Sequence, residues 1–464
     1  FVIQLAEIDV PLISFLFWVV VAGYLVLPEP VKETKKEFVR TPRAMRIILT
    51  AFVLLALLIV ILSLFFTRNM GGDAQAQLST VSIVGFIAYL LSPMALSAGN
   101  VLMHPVEEKL RGRFRERARQ KLIDSGATVI GITGSYGKTS TKTYLAHILS
   151  GRYKVLPTPR SYNTLMGVSL AINEDLDLAF GYNYFIAEMG AYVPGEIAEI
   201  CELVKPKISI VTAVGAMHLE RFGSIENVIR AKYEIVEGLP PDGLAVFNGD
   251  DANVLGMAER GYPENRIMVS RDGLEAARFI AENIIHSLDG LSFDVIDRET
   301  GETHHFNTKL VGLHNVTNIL LAAAVARHTG LSLAEIGSRV ASLTPAEHRL
   351  RQNLMPGGIT VIDDAYSANP VGASSALEVL SLHMEGRRIL ITPGMVELGD
   401  LQDEENYKLG KLAAESASDI VLVGIEQTRS IQRGIAESDF DSSRLLVVDT
   451  FEEARNWFQV EVKP

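Results

Sequence analysis

Three long apolar stretches dominate the first hundred residues of the chain. They run over Val10 to Leu27, Ile47 to Phe66 and Val81 to Met103. Each is close to the roughly 20 residues that a helix needs to cross the hydrocarbon core of a membrane. The third contains Pro93 and Asn100, so a kinked or interfacial helix is an alternative to a full span. The pattern predicts about three transmembrane helices, with a buried hairpin of soluble helices as the other interpretation.

Basic residues flank these stretches on two sides. Because positively charged loops stay in the cytoplasm, the pattern predicts a multi-pass protein of the cell membrane, with membrane lipid as a partner and the residues after about 105 in the cytoplasm. The chain begins with Phe1 and its first apolar stretch lacks a basic leader, so we expect a missing upstream piece rather than a cleaved signal peptide. The flanking basic residues are Lys32, Lys35, Lys36, Arg40, Arg43 and Arg46 on one side, and Lys109, Arg111, Arg113, Arg115, Arg117, Arg119 and Lys121 on the other.

From Gly126 onward, short β-branched runs alternate with amphipathic stretches, a pattern typical of an α/β domain with a largely parallel sheet. A second alternation begins near Gly358, after a plausible hinge over Leu343 to Ala346. We therefore expect an α/β fold with an N-terminal membrane region (1–105), a central α/β domain (106–342) and a C-terminal Rossmann-like α/β domain (343–464). The predicted strands are Thr128 to Thr133, Tyr184 to Ala187, Ile208 to Val211 and Leu244 to Asn248, then Thr360 to Ile362, Arg388 to Thr392, Ile420 to Val423 and Leu445 to Val448.

Composition narrows the possible classes of protein. A length of 464 residues suggests about three structural units. The single cysteine, Cys201, rules out an internal disulfide framework and a four-cysteine zinc site. A net charge of -12 argues against nucleic acid as the main partner.

A glycine-rich turn at residues 131–143 follows the first predicted strand and precedes a helix-like stretch that ends near Leu149. Such a turn can surround phosphate oxygens with backbone N–H groups, while Lys138 reaches the β and γ phosphates and Thr139 offers a hydroxyl to Mg²⁺. The general nucleotide-loop pattern requires glycine where this chain has Ile132. An incidental glycine-rich loop therefore remains the alternative to a phosphate-binding site.

Two polar residues follow predicted strands at the edge where α/β sheets bind ligands. Glu188 ends one strand, and His218 follows the next strand along the chain. A carboxylate beside a phosphate loop suits Mg²⁺, which prefers oxygen ligands. Taken alone, each residue is more often a cap or a satisfied polar group than a metal ligand.

Four further residues are ambiguous from the pattern. Lys232 lies on a predicted amphipathic helix, where a solvated face is the default interpretation. Asn318 lies in the first turns of a long apolar helix and can cap that helix or contact a base. Arg349 precedes the second alternation and can neutralise phosphate charge. Asp364 can bind Mg²⁺ or a ribose hydroxyl, or form an Asx turn before Pro370.

In order along the chain, these segments resemble the Mur ligase family of ATP-dependent amide-forming enzymes, and most of all its MurF branch. The resemblance covers about residues 126 to 464. The segments that carry it are Thr-Gly-Ser-Tyr-Gly-Lys-Thr-Ser at 133 to 140, Ser-Tyr-Asn-Thr at 161 to 164, Ala-Glu-Met-Gly-Ala at 187 to 191, His-Leu-Glu-Arg-Phe-Gly-Ser at 218 to 224, Ala-Lys-Tyr-Glu-Ile at 231 to 235, Gly-Leu-His-Asn at 312 to 315, Asp-Asp-Ala-Tyr at 363 to 366 and Pro-Gly-Met-Val-Glu-Leu-Gly at 393 to 399.

The resemblance implies a two-step reaction that uses ATP and Mg²⁺. A substrate carboxylate attacks the γ-phosphate to give an acyl phosphate, and an amine such as D-alanyl-D-alanine then displaces phosphate from a muramoyl peptide, as in peptidoglycan precursor synthesis. Arg349 would hold the γ-phosphate, Asn318 adenine, and Asp364 the ribose or the hinge-closing contact. The remaining implied residues are Gly134, Ser135, Gly137, Lys138, Thr139 and Ser140 for ATP, Thr139, Glu188, His218 and a carbamylated Lys232 for magnesium, and Asn163, Thr164, Tyr366 and Asn369 for the substrate. Lys138, Lys232, His218 and Arg349 would form the catalytic set.

Three departures from the family pattern affect these expectations. The domain that holds the UDP-linked sugar has no counterpart here, so we hypothesise a lipid-linked or membrane-held acceptor. Ser367 stands where MurF usually has asparagine, which weakens the dipeptide assignment. The chain stops at Pro464, where the family would continue into a Gly-Asp strand, so we expect the C-terminal domain to be truncated.

Other functions stay open on the sequence alone. A membrane-associated poly-γ-glutamate synthase also pairs membrane helices with this type of loop. A lipid-linked muropeptide amidating subunit is disfavoured because that type carries a cysteine-rich zinc ribbon. From another class, the chain could be a membrane scaffold that binds ATP without catalysis. The joint presence of Lys138, Glu188, His218, Lys232 and Arg349 argues against a scaffold, because an inactive site has no chemical need for all of them.

Overall fold

The structure is a computed structural model that describes residues 39–70, 74–346, 349–355, 357–364 and 369–462. The chain divides into two compact units, one ending at Arg113 and the other beginning at Phe114.

The first unit contains helix α1, Pro42–Met70, and most of helix α2, Ala74–Ser125. Arg46 and Glu107 join the two helices through a bidentate ion pair, with N···O distances of 2.7 and 3.1 Å. Two helices of the described residues are long and apolar enough to cross a membrane, by length and composition only. The sequence pattern predicted three.

The difference in number comes from the first candidate span alone, and the other two correspond to the two helices, although with different bounds. The first candidate span, Val10 to Leu27, lies outside the described residues. The third does not end at Met103, because α2 continues through Pro93 and Pro105 into the charged stretch that follows. Apolar and basic segments that the sequence analysis separated thus belong to one helix.

The second unit is built on a nine-stranded sheet with strand order β2-β3-β1-β4-β5-β6-β7-β8-β9. Counted in this order, neighbouring strands from β2 through β1 to β7 pair in parallel. Strands β8 and β9 extend the sheet as antiparallel neighbours. The strands are β1 Thr128–Thr133, β2 Val155–Pro157, β3 Tyr184–Glu188, β4 Ile208–Val211, β5 Leu244–Asn248, β6 Asn265–Ser270, β7 Phe279–Ser287, β8 Gly290–Asp297 and β9 Glu302–Thr308. The four strands predicted in this region are confirmed as β1, β3, β4 and β5, whereas β2 and β6 to β9 were not predicted.

Helices cover both faces of this sheet. Because side chains alternate along a strand, Ile130 and Ile132 of β1 enter one core cluster and Val129 enters the other. The helices are α3 Lys138–Leu149, α4 Leu165–Asp175, α5 Glu196–Val204, α6 Leu219–Phe222, α7 Ile225–Glu237, α8 Ala252–Ala258, α9 His314–His328 and α10 Leu333–Val340. Helix α9 is buried from Asn315 to Ala326, as expected of a helix that is apolar on all sides.

The C-terminal part has a separate, smaller sheet. Its strands β12 Ile389–Thr392, β13 Asp419–Val423 and β14 Leu445–Val448 pair in parallel. The predicted strand at Thr360 to Ile362 does form, but not in this sheet. It lies in β11, Thr360–Asp363, which pairs antiparallel with β10, Arg351–Leu354. The helices here are α11 Pro370–Ser381, α12 Gln402–Ser416, α13 Arg429–Ala436 and α14 Phe451–Glu461.

Candidate active site

The glycine-rich turn connects β1 to α3. Two of its glycines lie where a Cβ atom would clash with neighbouring side chains. Gly134 has φ 146°, and a Cβ atom there would lie 2.1 Å from Oγ1 of Thr212. Gly137 has φ 81°, and a Cβ atom there would lie 2.6 Å from Oδ1 of Asn318. Helix α3 then begins at Lys138 with no side chain on Gly137 to cap its first N–H groups. The turn therefore presents a helix N-terminus of the kind that binds phosphate.

Lys138 folds back over this turn. Its ammonium donates to the carbonyl oxygens of Gly134 and Ser135, at 2.6 and 3.0 Å. Burial lowers the pKa of Lys138 to about 8, against the opposing effect of Glu188. The hydroxyl of Ser135 contacts the backbone of Gly215 at 3.1 Å, which ties the turn to the loop after β4.

Glu188, at the end of β3, is the centre of a buried polar cluster. Its carboxylate accepts hydrogen bonds from Oγ1 of Thr139 at 3.0 Å and from Nδ2 of Asn163 at 3.2 Å. It also pairs with the ammonium of Lys142 at 2.9 Å. Burial opposes ionisation of this carboxyl, but Lys142 and Lys138 beside it hold its pKa below the ordinary value. The Glu188 carboxylate and the Thr139 hydroxyl thus lie close enough together to bind the same metal ion.

Lys232, on α7, is 3% exposed rather than solvated as the helix pattern suggested. Its ammonium lies 5.6 Å from the centre of the Phe222 ring. Burial and the nearby charge of Lys138 lower the pKa of Lys232 to about 7. A large fraction of the amine is therefore neutral near pH 7.

His218 follows β4 with a left-handed backbone, φ 58°. Its Nδ1 lies 2.5 Å from Oε2 of Glu397, which belongs to the C-terminal part of the chain. The Tyr192 ring packs against the imidazole with a centroid distance of 4.8 Å. Burial lowers the pKa of His218, although Glu397 opposes this effect.

The other predicted nucleotide residues lie on two sides of the phosphate loop. Asn318 accepts a hydrogen bond from Oγ1 of Thr141 at 3.2 Å, directly behind Gly137. Asp364 accepts the backbone N–H of Leu350 at 3.0 Å, and burial raises the pKa of its carboxyl.

Two predicted substrate residues cap helices. The hydroxyl of Thr164 accepts the N–H of Gly167 at the start of α4, and the side chain of Asn369 accepts the N–H of Gly372 at the start of α11. Tyr366 lies outside the described residues.

One cavity of about 300 Å³ brings most of these groups together. Its lining combines the central sheet with the C-terminal part of the chain. Predicted residues that line it are Gly134, Ser135, Gly137, Lys138, Thr139, Ser140, Asn163, Glu188, His218, Lys232, Asn318, Arg349, Asp364 and Asn369. The side chain of Thr164 does not contribute to the lining.

Some residues that support this cavity were not predicted from the sequence. Lys142 lies one helical turn after Lys138, and that i, i+4 spacing on a buried helix face was a usable signal. Glu397 lies in the segment at 393 to 399 that carries part of the family resemblance, but its contact with His218 joins residues 179 positions apart and was not predicted. Tyr192 and His314 also line the cavity.

Comparisons with known proteins agree with this arrangement. Residues 132–326 match the family model of the Mur ligase middle domain, and residues 348–464 match that of the Mur ligase, glutamate ligase domain. A UDP-N-acetylmuramoyl-tripeptide–D-alanyl-D-alanine ligase of Mycobacterium bovis is 32% identical over 368 residues, covering 74% of this chain and 68% of the relative. The ligase of that name from Escherichia coli is 32% identical over 322 residues, covering 69% of this chain and 70% of the relative.

Solved structures give the same picture. The crystal structure of MurF from Acinetobacter baumannii matches with a TM-score of 0.65 and 28% identity, covering 75% of this chain and 74% of that one. A MurF ligase from Thermotoga maritima matches in fold, with a TM-score of 0.65 and 24% identity over 76% of this chain and 78% of that one.

These findings correct the predicted localisation. The prediction of a multi-pass membrane protein is wrong: it rested on apolar helices, and the two helices that pass by length and composition in the described residues are weak evidence for spans. The relatives that the chain matches are, by name, ligases of a UDP-linked substrate. From its two matched domains, its relatives and its fold, the chain belongs to the Mur ligase family.

Proposed function

We propose that this chain is an ATP-dependent, ADP-forming acid–amino-acid ligase that joins D-alanyl-D-alanine to a UDP-N-acetylmuramoyl tripeptide in peptidoglycan precursor synthesis. The observation that carries the proposal is the single cavity in which the phosphate loop, Glu188 and Lys232 face Arg349 of the C-terminal part. The similarity to the mycobacterial and Escherichia coli ligases supports the choice of substrates.

The donor set at this cavity fits Mg²⁺. Within the described residues no group of three or more His, Cys, Asp or Glu side chains is placed to hold a metal by itself. Magnesium does not need such a group, because it binds one or two protein oxygens and takes its other ligands from phosphate and water. The Thr139 hydroxyl and the Glu188 carboxylate, 3.0 Å apart, would supply those oxygens, and His218 would lie beside them. The bound ion would offset the charge of the ATP phosphates.

The surroundings of Lys232 support the proposal that this lysine is carbamylated. Carbon dioxide reacts with a neutral amine, and the pKa of this buried lysine is lowered to about 7. The adduct would convert a cation into a carboxylate at the edge of the cavity, and so add an oxygen ligand for magnesium.

The proposed reaction starts with the C-terminal carboxylate of the muramoyl peptide. Its oxygen forms a bond to the γ-phosphorus of ATP while the bond from that phosphorus to the bridging oxygen of ADP breaks. Lys138 and Arg349 stabilise the charge that spreads over the transferring group. The amine of D-alanyl-D-alanine then attacks the activated carbonyl carbon, inorganic phosphate leaves, and the amine loses a proton.

The remaining assignments are part of the same proposal. Asn318 would contact adenine and Asp364 the ribose or the closing hinge. Asn163, Thr164, Tyr366 and Asn369 would contact the substrate. We keep the domain limits at 106–342 and 343–464, with 1–105 as a separate N-terminal region; the family matches at 132–326 and 348–464 fall within these limits.

The test is phosphate release by the full chain with Mg-ATP, D-alanyl-D-alanine and the UDP-linked tripeptide, with Lys138→Ala as the blank. We expect turnover that requires both substrates. A parallel reaction with the lipid-linked muramoyl peptide decides the form of the acceptor. Turnover with the lipid-linked form alone would contradict the UDP-linked assignment. No turnover with either muramoyl peptide, together with turnover with a polyglutamate acceptor, would contradict the muramoyl assignment altogether.

A further inference from the structure

The loop Pro393–Gly399, which follows strand β12, lies directly on the segment that carries His218. Oε2 of Glu397 lies 2.5 Å from Nδ1 of His218. At Gly399, an added Cβ atom would lie 3.4 Å from the backbone nitrogen of Glu220, so the two backbones approach closely. The contact thus extends from the imidazole into helix α6.

Apolar packing reinforces the same contact. Ala216, two residues before His218, packs against the core cluster of the C-terminal part. Met395 and Leu398 of the Pro393–Gly399 loop belong to that cluster and are nearly inaccessible. The carboxylate of Glu397 therefore meets the imidazole at the edge of this apolar contact, where the Glu397 side chain is 46% and the His218 side chain 24% exposed.

The loop is fixed from within the C-terminal part. The side chain of Asn406, which is 2% exposed, accepts the N–H of Met395 at 2.8 Å and donates to the carbonyl oxygen of Met395 at 2.9 Å. Glu397 itself has φ 64°, a conformation that costs a residue with a Cβ atom free energy and persists only where surrounding contacts hold it. These contacts hold the loop in a conformation that places the carboxylate of Glu397 beside His218.

We propose that Glu397 is the positioning residue for His218, and that through it the docking of the C-terminal part completes the magnesium site; this step rests on the proposed function. A carboxylate that accepts the Nδ1–H of a histidine fixes the ring and its tautomer, and leaves the Nε2 lone pair to face a metal. Without docking, the imidazole keeps its packing against Tyr192 but loses the carboxylate that fixes its tautomer. Nucleotide binding and domain docking are thereby coupled through one hydrogen bond.

A second histidine–carboxylate pair across the same two parts of the chain provides a matched control. Nδ1 of His286, on β7, lies 3.5 Å from Oε1 of Glu378, on α11. Among the described residues, neither member of this pair lines the cavity. Replacement of Glu378 tests the loss of a cross-domain carboxylate without disturbing His218.

The experiment measures Mn²⁺ affinity by electron paramagnetic resonance in the presence of ADP, for the parent, E397A, E397Q and E378Q, together with kcat and KM for D-alanyl-D-alanine. For E397A we expect Mn²⁺ binding about 10- to 100-fold weaker, as is typical when a residue that orients a metal-bound histidine is lost. For E397Q we expect substantial recovery, because the amide oxygen still accepts the Nδ1–H. For E378Q we expect no measurable change in Mn²⁺ affinity.

Parent-like Mn²⁺ affinity in E397A would overturn the proposal. Equal losses in E397A and E397Q would also overturn it, because the negative charge and not the orienting hydrogen bond would then be what matters. Thermal unfolding of each variant separates these outcomes from misfolding, and E397Q, which preserves shape, remains informative if E397A does not fold. A parent that binds Mn²⁺ with ADP but forms no peptide bond would instead refute the proposed function and leave the Mn²⁺ comparison readable.

Discussion

The two sides of the cavity are built in different ways. On the central side, Lys142, Glu188 and Lys232 are each at most 3% exposed and are held by a nine-stranded sheet with helices on both faces. On the C-terminal side, Arg349 and Glu397 come from loops beside a two-stranded ribbon and a three-stranded sheet, and the Glu397 side chain is 46% exposed.

The difference indicates a division between the two sides: the central side contributes to stability and to catalysis, and the C-terminal side mainly to catalysis. The central side has its charges in place as soon as that part of the chain folds, because their burial is inseparable from the core. The C-terminal side supplies its charges from loops, through contacts with the central part. We therefore expect substitutions on the central side to affect stability as well as activity, and substitutions on the C-terminal side to affect activity with little change in stability.

The largest effect on stability is expected from Lys142→Met. Its ammonium is paired with Glu188 in the core, and removal of one partner from a buried ion pair costs about 3–5 kcal/mol in the free energy of unfolding. Urea unfolding measures this, with the exposed Lys154→Met as control, for which a change of about 0.5 kcal/mol or less is expected. Equal losses in the two variants would remove the distinction between buried and exposed charges.

Lys138→Ala tests the central side through catalysis. Its ammonium is the cation next to the phosphate loop, so its loss removes a preorganised contact to the transferring phosphate and is expected to lower kcat by about 10²- to 10³-fold. Steady-state phosphate release measures the loss. A decrease of less than tenfold would show that the lysine has a structural role only.

Arg349→Lys tests the C-terminal side at constant charge. A lysine cannot reproduce the planar fork of arginine, so the loss of one charge-assisted hydrogen bond, about 1.5–3 kcal/mol, corresponds to a decrease in kcat of about 10- to 100-fold. The midpoint of urea unfolding is expected to stay at the parent value. The neighbouring Arg351→Lys is the control. A large loss of stability in Arg349→Lys would contradict the proposed division.

The smallest effect concerns pH and Lys232. With its pKa lowered to about 7, the folded lysine is about half neutral at pH 7, whereas an ordinary lysine is neutral in roughly one of a few thousand molecules. We expect bicarbonate to stimulate activity several-fold at pH 7 and a carbamate signal in ¹³C NMR that grows as pH rises from 6 to 8 and is absent in Lys232→Ala. Stimulation that is equal in the variant would contradict the assignment.

The lowered pKa of Lys232 also makes the free energy of unfolding depend on pH in a defined direction. The folded pKa lies below the unfolded value, so between about pH 7 and 10.4 the unfolded chain binds the additional proton and stability rises with pH. Below about pH 7 both states are protonated and the full cost of burying the cation remains.

Local signals made much of the central side predictable. The glycines at 134 and 137, the strand ends at Glu188 and Val211, and the apolar course of α9 each follow from a few neighbouring residues. Burial of Lys232 did not follow, because the amphipathic pattern of α7 cannot indicate which polar residue the next layer of structure covers.

The structure of the C-terminal side was harder to predict, because it depends on contacts between residues far apart in the chain. The strand β11 had the expected composition, yet it pairs with β10 instead of the parallel sheet, because pairing is decided by the whole arrangement. The contact between Glu397 and His218 spans 179 positions in the chain. The prediction of a membrane region at the N-terminus failed for a related reason. Hydropathy measures whether a helix is apolar enough for a membrane, and it contains no information on where that helix lies.

The most direct test of the central claim is isotope transfer. UDP-N-acetylmuramoyl tripeptide labelled with ¹⁸O in its C-terminal carboxylate is supplied with Mg-ATP and D-alanyl-D-alanine, and the released phosphate is examined by mass spectrometry. If the substrate carboxylate attacks the γ-phosphate in this cavity, each phosphate released with a new peptide bond carries one ¹⁸O atom from the tripeptide. Peptide formation with unlabelled phosphate would contradict the account.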